Sequence, residues 1–153
     1  MKLQNSKLVL RQLDKKLQVA QPLKDMMPPN GWISLIRKTL NMSLRQLGNR
    51  MSITPQSIRD IEKREGEGTL TLKTLKDAAE ALDMTLVYGF IPKDGSLENM
   101  IERRAREMAE KIVKRTSTTM KLEDQENSTK RIKQAIEEMT DELKKEMPKS
   151  LWD

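Results

Sequence analysis

Residues 44–65 read LRQLGNRMSITPQSIRDIEKRE, and their spacing carries the most structural information in the chain. With Leu44 counted as the first position, apolar residues stand at positions 4, 8, 10, 15 and 18 as Leu47, Met51, Ile53, Ile58 and Ile61. Position 5 is Gly48. Two short helices that cross steeply through a tight turn impose this spacing. They need five apolar residues on the buried side and a tiny residue where the helices touch. The pattern therefore predicts a helix-turn-helix. Ser43 is placed to cap the first helix. Thr54 caps the second, with Pro55 at its first position, where a missing N–H costs little.

Around this core, residues 32–83 hold two further helical patterns. WISLIRKTLNM (32–42) sets Trp32, Ile33, Ile36 and Leu40 on one face, and TLKTLKDAAEAL (71–82) turns Leu72, Leu75, Ala79 and Leu82 inward behind a Thr71 cap. Upstream, Leu10, Leu13, Leu17 and Ala20 predict a helix over 4–21 that carries a basic stripe of Lys7, Arg11 and Lys15. Pro28, Pro29 and Gly31 close it off. This helix is either an extra layer on the body or an arm that touches phosphates or a partner, and four apolar residues in need of cover favour packing.

Downstream, MTLVYGFI (84–91) changes rhythm. Leu86, Tyr88 and Phe90 face one way, Val87 and Ile91 the other, which predicts a strand. The same strand of a second subunit would pair with it in a dimer, a hairpin within the chain being the alternative. A helix over 96–116 follows, with Leu97, Met100, Ile101, Ala105, Met108, Ile112 and Val113 inward. KRTSTTMKLEDQENS (114–128) interrupts, and a last helix over 129–147 is built on Ile132, Ile136, Met139, Leu143 and Met147. A dimer could form through Leu86, Tyr88 and Phe90, through Ile101, Met108 and Ile112, or through both sets. The expectation is a mostly α-helical chain in three parts. Residues 1–30 form a basic helical arm, 31–83 the helix-turn-helix domain, and 84–153 a strand plus helical region for dimerisation or partner binding.

Composition narrows the function. The 153 residues include no Cys and no His. That removes disulfides, thiolate nucleophiles, His-based triads and Cys or His metal sites, so neither a cofactor nor a metal is expected. Glu137, Glu138, Asp141 and Glu142 read as surface acids of a helix, and no constellation supports an enzyme. No apolar run reaches membrane-spanning length and the N-terminus does not read as a signal peptide, so a cytoplasmic protein without membrane attachment is expected. The net charge of +6 is uneven: +4 over 1–30, +2 over 31–91 and zero over 92–153. With a pI near 9.5, this suits a nucleic-acid ligand.

The spacing over 44–65, with Trp32 to Leu82 around it, resembles the phage-repressor (Xre-type) helix-turn-helix family. That resemblance implies a bundle of about five helices that binds operators as a dimer, with the second motif helix in the major groove. Arg37 and Glu62 fall where the family often places an internal ion pair. Ser52 stands where the turn usually has Gly, and Leu44 where the family often has a phosphate-binding Gln. A closer resemblance extends over nearly the whole chain. KLQNSKLVLRQLDKKL, PPNGWISLIRKTLNMSLRQLG, GTLTLKTLKDAAEALDMTLVYGFIP, MKLEDQ and the final LWD are similar to the family called mobile mystery protein A, Xre-type proteins encoded beside a Fic-domain protein. It implies an antitoxin-like DNA-binding homodimer with a Fic-type partner. Known Fic antitoxins carry Ser/Thr four residues before Glu-Gly or Glu-Asn. Here Glu65, Glu67, Glu98 and Glu126 are preceded at that distance by Ile61, Lys63, Asp94 and Leu122. Any restraint of a Fic enzyme would use another contact.

Side-chain chemistry assigns roles on double-stranded operator DNA. With Ile58 and Ile61 inward, Gln56, Arg59, Asp60 and Lys63 form the opposite stripe. Gln pairs with adenine and Arg with guanine in the major groove. Asp60 would accept from cytosine or orient Arg59, and Lys63 would meet phosphate. Thr54 and Ser57 mark a helix N-terminus that attracts phosphate, and Arg45 and Arg50 are backbone-contact candidates. The resulting expectation is a sequence-specific regulator that represses its own operon in an antitoxin-like pair. The alternative is a protein-binding inhibitor or adaptor of a Fic-type partner, with the helix-turn-helix as scaffold.

Overall fold

Polar side chains that take up free amides set where the helices begin in the computed structural model, which describes residues 2–117 and 125–153. The chain divides into two compact units, Pro22–Gly89 and Met1–Gln21 with Phe90–Asp153.

The first unit holds α2 (Leu23–Met26), α3 (Trp32–Thr39), α4 (Leu44–Met51), α5 (Pro55–Glu67) and α6 (Leu72–Ala81). Ser43 and Gln46 form a reciprocal capping box at α4: the Ser43 hydroxyl accepts from the Gln46 amide at 3.0 Å, and the Ser43 amide donates to Gln46 Oε1 at 2.8 Å. Thr54 and Thr71 cap α5 and α6 by accepting from the amides of Ser57 and Thr74. Gly31, the residue before α3, has no side chain to offer. Glu65, on α5, substitutes: its two carboxylate oxygens accept from the amides of Trp32 and Ile33, both at 2.9 Å. A carboxylate suits this place because the end of a helix carries unpaired N–H groups and partial positive charge. The core is Leu47, Ile58 and Ala78, fully buried, with Ile33 and Leu82, and Met51, Ile53 and Ile61 pack against it. Ala78, rather than Ala79, is the fully buried alanine of α6, while Leu72 and Leu40 lie exposed.

The second unit packs α1 (Lys2–Val19) and α8 (Gln125–Glu146) on α7 (Leu97–Ser117), with a 3₁₀ turn at Lys149–Trp152. Ala105 and Ala109, both fully buried, let α8 approach α7 closely, and Ile101, Leu143 and Leu151 complete the cluster with Leu10, Met108, Ile136 and Met139 around it. Asp14 holds α1 against the start of α7, accepting from the amides of Leu97 at 2.7 Å and Glu98 at 3.2 Å. Gln18 adds a bond to the Gly95 carbonyl at 2.7 Å. Leu10, Leu17 and Ala20 are half-buried on this face, whereas Leu13 points out. Arg104 gathers the C-terminus by donating to the carbonyls of Leu151 and Asp153. The interruption expected over 114–128 falls in part outside the described residues; α7 runs to Ser117 and α8 is in place from Gln125.

One expectation of the fold class fails. Among the described residues there is no strand, and 84–91 is irregular chain. Exposure does not follow the expected alternation either, since Val87, Tyr88 and Phe90 are all 73% exposed or more while Leu86 is half-buried. The reason is that a period of two records which way side chains point, whereas a strand exists only through a hydrogen-bonded ladder. Beyond Met84, whose amide bonds to the Ala79 carbonyl at 2.8 Å, no ladder forms among the described residues, and after Pro92 the chain returns to helix.

Candidate nucleic-acid interface

The turn between α4 and α5 rests on a close approach. A Cβ on Gly48 would stand 2.7 Å from the Ile53 carbonyl oxygen, so only glycine lets the two segments meet there. The Gly48 carbonyl accepts from the Ile53 amide at 2.9 Å across this contact. Ser52 takes the left-handed conformation, φ +58°, that glycine usually supplies. A non-glycine residue there costs about 1–2 kcal/mol, which the surrounding packing and hydrogen bonds offset.

Behind the turn, Arg37 locks α3 to α5. Its Nε and Nη2 donate to the two oxygens of Glu62, and Nη1 donates to the Met42 carbonyl at 2.9 Å. Arg37 is only 8% exposed. The pair is a buried clamp with its hydrogen bonds made, not a surface ion pair, and it fixes the tilt of α5. Ile58, fully buried, sets the rotation of the same helix.

That rotation leaves Gln56, Arg59, Asp60 and Lys63 exposed. Gln56, Arg59 and Lys63 follow one another at helical spacing along one side of α5. Asp60 is engaged with Arg64, one turn further on at 3.3 Å, rather than with Arg59. At the start of α5, Pro55 has no N–H, the Ser57 amide is capped by Thr54, and the Ile58 amide bonds to the Thr54 carbonyl. The Gln56 amide is thereby the one left to meet an anion at a positive helix end. The hydroxyls of Thr54 and Ser57 lie 2.9 Å apart beside it. On α4, Arg45 is exposed, whereas Arg50 reaches α6 and its end, donating to the Ala81 carbonyl at 3.1 Å with Asp83 at 3.5 Å. Arg50 is thus partly committed to holding α4 on α6.

Of the residues singled out for dimerisation, Ile101 and Met108 pack inside the chain's own cluster and Ile112 is half-buried on α7. Tyr88 and Phe90 are open to solvent and Leu86 is half-buried. Sequence reasoning missed the Glu65 cap on α3 and the Asp14 cap on α7. Each joins residues more than 30 apart, and neither leaves a local pattern.

A family model described as helix-turn-helix matches residues 33–88, so the domain that carries this geometry is an Xre-type helix-turn-helix domain, and the match implies DNA binding. No curated protein and no solved structure matches the chain. Among the described residues, no helix is long and apolar enough to cross a membrane.

Proposed function

We propose, taking the helix-turn-helix domain at residues 33–88 as premise, that the chain is a sequence-specific regulator that binds its operator as a homodimer and represses its own operon. The observation that carries this reading is the rigid presentation of the α5 face. The buried Arg37–Glu62 clamp and Ile58 fix the helix, and Gln56, Arg59 and Lys63 are left exposed along its outer side. In this reading Gln56 and Arg59 read base edges, while Lys63, Arg45 and the Gln56 amide position the phosphates. Thr54 and Ser57 line the same helix end, and Asp60 pairs with Arg64. Arg50 reaches phosphate only after loosening its contact with α6.

Leu86, Tyr88 and Phe90 supply the dimer contact in this proposal. Aromatic side chains bury about 150–250 Å² each when covered. Two copies that cover Tyr88, Phe90 and the neighbouring Val87 therefore approach the roughly 1,000 Å² of a specific interface. The antitoxin-like role and the Fic-type partner rest on the resemblance outside the domain alone. Nuclease protection of the chain's own upstream DNA tests the proposal. Two protected half-sites with centres about one helical turn apart are expected. Uniform protection, or none, would refute it.

A further inference from the structure

The second compact unit carries a cationic cleft that DNA reading by α5 does not use. It opens between α1, the start of α7 and the end of α8, and has a volume of about 110 Å³. Lys7 and Arg11 border it from α1, and Lys144 and Lys145 from α8, against a single acid, Glu98. Lys144 has only a distant partner, Glu102 at 3.9 Å. No ion pair among the described residues engages Lys7, Arg11 or Lys145. Leu10, Ile101 and Met147 form an apolar floor.

Four cations from two helices around one opening repel each other, so the folded chain alone gains nothing from gathering them. The lysines at the end of α8 are favoured by its dipole, but that does not account for Lys7 and Arg11. The volume lies well below the roughly 300–1,000 Å³ of small-molecule sites, and suits one side chain. An apolar floor has no counterpart in a DNA backbone, whose contacts are to charged oxygens. A recess between three helices is likewise unlike the flat amphipathic face that lies on a membrane. We infer that this cleft docks an acidic, apolar-containing segment of a partner protein, with one apolar side chain on Leu10, Ile101 and Met147 and flanking carboxylates on Lys7, Arg11 and Lys145. The site is separate from α5, so it stands or falls independently of operator binding.

The test uses the full chain and a short labelled peptide of repeating Glu-Glu-Leu, with a Glu-Glu-Ser repeat and a random DNA duplex as competitors. The Leu-containing peptide should bind in a salt-dependent way and resist the Ser repeat. The double variant Lys7→Glu/Arg11→Glu should weaken it about tenfold or more. Both side chains are exposed, so helix content by circular dichroism should be unchanged. Lys145→Glu gives a second, independent variant on α8, and Arg59→Ala should have no effect. Equal binding of the two peptides, undiminished binding by the charge-reversed variants, or no peptide binding would each overturn the inference. Displacement by random duplex that depends on Lys7 and Arg11 would also overturn it, and would make the cleft a nucleic-acid contact.

Discussion

Replacing Gly48 by alanine adds one methyl group, and the structure says where that methyl goes. It would lie 2.7 Å from the Ile53 carbonyl oxygen, 3.4 Å from the Thr54 carbonyl carbon and 3.5 Å from the Pro55 nitrogen. Carbon and oxygen ordinarily stay about 3.3–3.6 Å apart even in close Cα–H···O contacts, so the turn must move by more than half an ångström. The atom met is backbone, so no side chain can swing aside. Overpacking of this kind costs about 1–3 kcal/mol, and the upper part of that range applies here. Alanine returns roughly 1 kcal/mol of helix propensity, which leaves a net loss of about 1–2 kcal/mol. Gly66 supplies the control. It lies in α5, and a Cβ there would meet nothing closer than the Asn30 carbonyl oxygen at 3.5 Å. Gly66→Ala should therefore stabilise by up to about 1 kcal/mol. Trp32 lies in Pro22–Gly89 and Trp152 in the other unit, so a Trp152→Phe background makes tryptophan fluorescence report on the helix-turn-helix unit. In urea, Gly48→Ala should lower the midpoint by about 1 M and Gly66→Ala should raise it. If Gly48→Ala proved as stable as Gly66→Ala, the close approach of α4 to the turn would be wrong, and with it the reason position 5 of the motif must be tiny.

Further perturbations probe other contacts. Gly31→Ala forces a side chain onto a residue at φ +87°, with the new Cβ 2.5 Å from the Glu65 carboxyl carbon, and should cost about 1–3 kcal/mol in the same urea assay. Arg37→Leu leaves the largely covered Glu62 carboxylate unpaired beside α3, and should cost about 3–5 kcal/mol in the same urea assay. Arg59→Ala should weaken operator binding by about 1–3 kcal/mol and spare random duplex, as read by competition titration. Tyr88→Ser combined with Phe90→Ser should leave the helix content unchanged and shift sedimentation to the monomer. A dimer that survives both substitutions would place its interface elsewhere.

The parts of the fold legible in the sequence are those set by short-range rules. The spacing from Leu47 to Ile61, the Gly48 contact and the caps at Ser43, Thr54 and Thr71 are all resolved within a turn or two of helix. The left-handed Ser52 also follows, since the motif demands that conformation whatever residue occupies it. What was not legible depends on groups far apart in the chain. Glu65 serves as the cap of α3 because Gly31 cannot, and nothing near either residue announces the pair. Asp14 reads as a charge on a polar stripe until α7 is brought against it. The 84–91 segment misleads in the opposite sense, because its alternation is real as a pattern of residues yet no ladder completes it among the described residues. On the interface, the outward stripe of α5 was legible from the inward one. The partner of Asp60 follows the same spacing rule, since Arg64 stands four residues on along the helix while the adjacent Arg59 faces away, and sequence reasoning weighed only Arg59.

In the proposed function, the exposed face of α5 reads a particular DNA sequence. Fluorescence anisotropy of the intact chain against its own upstream duplex and a scrambled one, at physiological salt, tests it most directly. A preference of about 10³-fold or more for the native sequence is expected. Equal, weak binding to both duplexes that fades as salt rises would contradict it and reduce the interaction to charge alone.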